Sequence, residues 1–135
     1  MTRYSFAAVL AVLFAVSTGL AQDKKVEAKK PLGTWVREVG GNTVAFTFEA
    51  ETLKCVITNA AGERITVFAP YGVAEGDTIF GLITKVEKTA GGPEKGELFS
   101  FHFQVDKDKL ILSDLRSTAD REEAKQLVQG EYKRK

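Results

Sequence analysis

From Leu98 to Val105 the chain alternates strictly. Phe99, Phe101, Phe103 and Val105 share one parity, and Ser100, His102 and Gln104 take the other. Only an extended strand sends alternate side chains to opposite faces, so this run can pair only with one face buried. The same period recurs along the chain. Val44, Phe46 and Phe48 alternate with Thr43, Thr47 and Glu49. Leu53, Cys55 and Ile57 alternate with Thr52, Lys54 and Thr58, and Ile65 and Val67 oppose Phe68. Leu110 and Leu112 continue the inward phase after Val105. Turn signals separate the runs: Gly40-Gly41-Asn42, Asn59-Ala60-Ala61-Gly62 and Asp106-Lys107-Asp108. With the closing run from Leu127 to Arg134, this is about eight strands with short hairpin links, an all-β antiparallel pattern. On that count alone, sandwich and barrel are both open. No repeat of about 20–50 residues is visible, which argues against a propeller or solenoid.

Two places disturb the alternation. Pro70, in Ala69-Pro70-Tyr71-Gly72, cannot donate to a central ladder and marks an edge, a bend or a loop. The long run from Asp77 to Lys88 changes phase, with Ile79 on one parity and Leu82, Thr84 and Val86 on the other. A bulge at Gly81 would turn these apolar side chains to one face and bend the strand, as closing a small barrel demands. Beyond Leu112, Ser117-Thr118-Ala119-Asp120 offers a helix start, and a short helix is expected over about 119–126. Thr89 to Gly96 reads as a flexible loop.

The two ends of the folded part carry the most specific residues. Pro31-Leu32-Gly33-Thr34-Trp35 reads as one tight turn with Leu32 and Trp35 on the same side. Gly33 lets the backbone turn where a side chain would clash. Trp35, the only tryptophan, would plug one end of a barrel. In the last strand Gly130, Tyr132 and Arg134 share a parity.

Gly33-Thr34-Trp35 resembles the Gly-x-Trp opening of the lipocalin-like, or calycin, group of small barrels. The closing run, Val128 to Arg134, is similar to that group's last strand. The resemblance implies a single antiparallel eight-stranded barrel with a short helix before the last strand. Gly33, Trp35, Tyr132 and Arg134 would form its closure, with the Arg134 side chain covering the tryptophan. The chain departs from a standard lipocalin in being shorter, in lacking the long helix after the final strand and in having no disulfide. It looks closer to the small secreted bacterial members of the group. The wider group also includes small periplasmic inhibitors of metalloproteases, with a similar Gly-x-Trp opening, that insert an N-terminal segment into the protease cleft.

The first 21 residues read as a secretory signal. Arg3 gives a positive start, Phe6 to Val16 is an apolar run of 11 residues, and Gly19 and Ala21 supply a small-residue cleavage site. A membrane span needs about 20 apolar residues, so the run is short for an anchor. Cleavage is expected after Ala21, leaving a secreted or periplasmic protein. Residues 22–31, rich in lysine and free of aromatics, form a flexible tail, and 32–135 form the barrel domain.

Composition narrows the functions. The 135 residues are 44% hydrophobic, enough for one core. Losing Arg3 with the leader leaves 18 basic against 18 acidic residues. A mature net charge near zero, with the signs interspersed, argues against nucleic acid as partner. Cys55 is the only cysteine, so no internal disulfide forms, and it reads as a small buried hydrophobe. One cysteine and His102, the only histidine, do not make a conventional zinc site. His102 shares its face with Ser100 but with no evident orienting carboxylate, so no catalytic pair is assigned. Gly91-Gly92-Pro93 lacks the lysine and helix of a phosphate loop. No cofactor is implied, and a non-enzymatic monomer is expected.

Five inward rings, Phe46, Phe48, Phe99, Phe101 and Phe103, have two roles open to them. They fill the barrel, or they line a pocket for a small apolar molecule. The first leaves a protein-interaction or inhibitor-like module and the second a ligand-binding domain. Any ligand would enter at the end away from Trp35, past the 70–76 or 89–96 loop.

Overall fold

A computed structural model describes residues 29–88 and 91–135. The leader, the cleavage site after Ala21 and the lysine-rich stretch as far as residue 28 lie outside the described residues. The strands are β1 (Gly33–Val39), β2 (Asn42–Phe48), β3 (Thr52–Thr58), β4 (Arg64–Ala74), β5 (Thr78–Leu82), β6 (Lys85–Lys88), β7 (Leu98–Asp106), β8 (Lys109–Ser117) and β9 (Gly130–Arg134). One helix, α1 (Glu122–Val128), precedes β9.

All pairings are antiparallel, in the order β3-β2-β1-β9-β8-β7-β5-β4-β6, and a β3–β4 ladder closes the circle. Both β5 and β6 pair with β4, so they are successive parts of one stave and the barrel has eight. The chain ends meet as Arg134 opposite Trp35 and Lys133 opposite Val36. Closure leaves no long unpaired edge, which matters for a domain without a disulfide.

The apolar parity of each strand turns inward. Val44, Phe46 and Phe48 are buried from β2, Leu53 and Cys55 from β3, Phe101 and Phe103 from β7, and Leu110 and Leu112 from β8. Their rings form a continuous line. Phe46 stacks on Phe48 at 5.4 Å and meets Tyr132 edge-on at 5.7 Å and Phe101 at 5.8 Å. Phe101 stacks on Phe99 at 5.9 Å, and Phe48 meets Tyr71 edge-on at 5.6 Å. Each such pair contributes roughly 0.5–1.5 kcal/mol beyond the area it buries. Val105, expected inward, sits at the strand's end and is exposed.

The phase change in the long stave lies beyond Gly81. Tyr71 pairs with Gly81 and Phe68 with Lys85, so Ala69 and Pro70 face three residues, Leu82, Ile83 and Thr84. The inward set is therefore Ile79, Gly81, Ile83 and then Val86, while Leu82 is 40% exposed instead of inward. Gly81 serves a different need. A Cβ there would meet the Phe99 ring at 2.6 Å and the Pro70 carbonyl oxygen at 2.9 Å. Pro70 does not end its strand either: β4 runs through it to Ala74. It lies opposite Thr52, the first residue of β3, and beside the bulge, where a missing N–H costs the ladder little. A second bulge falls in β8, where Ser100 pairs with Arg116 but His102 with Ser113. Asp114 takes the left-handed conformation there at φ 54°, which brings Leu115 back against the core.

Three local expectations change. Leu32 is exposed and Trp35 fully buried, because β1 already begins at Gly33 and the two fall on opposite faces. Pro31, assigned to the flexible tail, is buried, and its carbonyl accepts the Trp35 indole N–H at 2.9 Å. The Lys30 ammonium also donates to the Ala50 carbonyl. The helix starts later than Ser117 suggests. The Asp120 N–H does bond to Ser117 Oγ at 3.0 Å, but Asp120 has φ 51°, so this is a turn. The helix begins at Glu122 with Arg121 in the N-cap position.

Candidate functional site

The pairing fixes what lies at each end of the barrel. One end collects the start of β1, the 49–51 turn, the 75–77 turn, the 107–108 turn and the end of β9. There Arg134 lies over the Trp35 ring, 4.1 Å from its centroid, and donates to the Leu32 carbonyl at 3.1 Å. Gly33 has φ +114°, and a Cβ on it would sit 2.8 Å from the Arg134 guanidinium. The glycine thus serves both a backbone conformation and the space above it. Tyr132 is fully buried behind this cap and donates to the Val128 carbonyl at 2.6 Å; burial raises its pKa above the ordinary phenol value. This end is sealed.

At the other end α1 and the 91–97 segment lie over the barrel mouth. The described part of that loop is tied down rather than free. Gly96 N–H bonds to the Ile83 carbonyl at 2.8 Å, and Glu94 N–H bonds to Glu97 Oε2 at 2.8 Å. Beneath them lies a cavity of about 190 Å³. Its walls are mostly apolar: Phe46, Phe99 and Phe101, with Cys55, Ile57, Ile65, Ile83 and Leu115 around them and Leu127 from the helix. The polar wall is a bound pair. Arg121 donates through Nη1 to Glu97 Oε1 at 2.8 Å, with the two side chains 32% and 13% exposed. The hydrogen bond from Arg121 holds the Glu97 carboxyl below the usual carboxylate range. Burial pushes the Cys55 thiol up to about 12, so at neutral pH it is an uncharged wall atom.

The five phenylalanines divide between the two ends. Phe46, Phe99 and Phe101 line the cavity. Phe48 and Phe103 do not; they pack in the sealed half, Phe48 against Tyr71 and Phe103 opposite Leu112. Cys55, Ile57 and Ile65 already share the inward parity in the sequence. Glu97 and Arg121 stand outside the alternating runs and 24 residues apart, so only the tertiary structure joins them. Of the two loops considered for the mouth, 91–96 lies there, whereas 70–76 mostly continues β4 toward the Trp35 end.

The outer surface carries a separate groove on β4, β5, β7 and β8. Phe80, Leu82 and Leu98 stand 49%, 40% and 54% exposed along it. Gly72 lets the Phe80 ring lie flat, since a Cβ there would touch the ring at 2.7 Å.

His102 has an acidic neighbour after all. Its Nδ1 lies 3.1 Å from the Gly76 carbonyl, which accepts that N–H, and Nε2 faces Asp114 Oδ2 at 3.7 Å. Asp114 also takes the Arg116 Nε at 3.2 Å. This is an exposed polar cluster. Among the described residues no group of three or more His, Cys, Asp or Glu side chains comes together to hold a metal ion. No helix among them is long and apolar enough to cross a membrane. Compared with family models, curated proteins and solved structures, the chain matches none.

Proposed function

We propose that the chain is an exported, non-enzymatic, calycin-like domain that holds a small apolar molecule at the barrel end opposite Trp35. The observation that carries this reading is the cavity of about 190 Å³ under α1, apolar on nearly every side. An apolar void of about 150 Å³ is already large enough to take up benzene. The calycin-like assignment rests on Gly33-Thr34-Trp35, the eight-stranded closure and Arg134 over the indole. Export to the periplasm or medium rests on the Arg3, Phe6–Val16, Ala21 pattern, with Gln22 as the first mature residue. The reading as a non-enzyme is argued from His102, an exposed side chain whose partners among the described residues are the Gly76 carbonyl and Asp114, with no hydrogen bond to Ser100. Native mass spectrometry of protein purified from its own source tests the binding reading. A retained small molecule, lost on denaturation, is the expected result. An empty protein that also fails to bind apolar dyes overturns it.

A second reading, a protein-interaction module acting through its outer face, is favoured by the groove of Phe80, Leu82 and Leu98. Replacing Phe80 and Leu98 with serine separates the two. The binding domain keeps its ligand after that change, and the interaction module loses its partner.

A further inference from the structure

We propose that the ligand is a compact, one-ring neutral molecule whose single hydrogen-bond acceptor meets the Arg121 guanidinium. The inference rests on the cavity being the binding site and specifies its chemistry. Size sets the first limit. About 190 Å³ exceeds by little the roughly 150 Å³ that accommodates one benzene ring, so a ring with one small substituent fits and a fatty chain or sterol does not. The apolar walls from Phe46, Phe99, Phe101 and Leu115 suit the ring.

Arg121 and Glu97 decide the polar end. A guanidinium has five N–H donors in a planar fork. Among the described residues Arg121 bonds only to Glu97, through Nη1. Its other donors meet no acceptor among the described residues. Both Glu97 oxygens are engaged, one taking Arg121 and the other the Glu94 N–H. The pair thus offers donors and no net charge. A ligand carboxylate would have to approach Glu97 and Glu123, which also borders the cavity. A ligand ammonium would meet the guanidinium. A carbonyl or hydroxyl oxygen avoids both penalties and gives the guanidinium an acceptor that a purely apolar guest lacks.

The test is calorimetric titration of the intact protein with three probes of similar shape: toluene, acetophenone and benzoate. Acetophenone should bind most tightly, about tenfold over toluene, the factor that 1.4 kcal/mol supplies. Benzoate should be weakest. In Arg121→Met the acetophenone advantage should vanish while toluene binding stays. If that variant also weakens toluene, Arg121→Lys decides, because it keeps the charge opposite Glu97 without the planar fork. A loss confined to acetophenone upholds the proposal, and equal losses of both overturn it. Equal binding of toluene and acetophenone by the unaltered protein, or a preference for benzoate, refutes the assigned ligand class while leaving the cavity as a binding site. Failure of all three probes to bind refutes the cavity reading itself.

Discussion

Arg134→Ala removes the cap over the only tryptophan, and its cost can be built up from three contacts. The guanidinium lies 4.1 Å from the centroid of the Trp35 ring. Such a cation over an indole contributes about 0.5–2 kcal/mol, and the buried ring places this one toward the upper part. The hydrogen bond to the Leu32 carbonyl adds about 1 kcal/mol. The ion pair with Asp108 is 3.7 Å long and its carboxylate is almost fully exposed, so it adds nothing measurable. The expected loss is about 1.5–3 kcal/mol. For a domain of about 100 residues that lowers Tm by roughly 6–12 °C, at about 4 °C per kcal/mol. Thermal melting read by circular dichroism measures this, and tryptophan emission reports the local change. Emission should shift to the red in the variant, because water reaches a ring face now covered by Arg134. Arg134→Lys should recover less than half of the loss, since an ammonium keeps the charge but not the planar stacking. An Arg134→Ala protein with unchanged Tm and emission would show that the terminal strand does not cap the barrel.

Phe101→Ala should cost about 2–3 kcal/mol by urea titration, below the 3–5 kcal/mol of a sealed core site, because one face of the ring already borders the cavity. The same variant should bind larger apolar dyes more tightly; a full core-sized loss without dye binding would mark the barrel as solid. Gly81→Ala should destabilise by about 1–3 kcal/mol, since the Pro70 carbonyl cannot move away from the added methyl, and chemical unfolding checks it. Glu97, with its pKa lowered chiefly by the Arg121 hydrogen bond, stabilises the fold above its unfolded pKa and loses that contribution as pH falls through the folded value. Stability measured from about pH 5 downward should therefore fall less steeply in Glu97→Gln than in the unaltered protein; identical slopes would refute the role of the pair. Mass measurement of the exported form should find Gln22 at its start, and a product retaining residues 1–21 would refute export by cleavage.

What the sequence determined by itself is what depends on neighbours along the chain. The alternation of Phe99, Phe101 and Phe103 against Ser100, His102 and Gln104 allowed one buried face and therefore a sheet. Gly33-Thr34-Trp35 near one end and Arg134 at the other marked the place of closure through their resemblance to the opening and closing runs of calycin-like barrels, and Arg134 does lie over the Trp35 ring. Phase is a local property and could be read. Where a phase changes is not, because a bulge is set by the opposing strand. The sequence placed the phase change at Gly81, whereas the pairing of Tyr71 with Gly81 and of Phe68 with Lys85 puts the extra residue among Leu82, Ile83 and Thr84. The helix start obeyed the same rule. Ser117 and Asp120 had the right spacing, yet the chain leaving β8 needed a left-handed turn there first. The cavity was decided still further from local sequence. Its apolar walls follow strand parity, but its size depends on how α1 and the 91–97 segment meet above them. Its polar wall depends on Arg121 reaching Glu97 from a different connection. Parity is imposed by each strand's own pleat, whereas a void is the volume that several elements fail to fill together, and only their assembly fixes it.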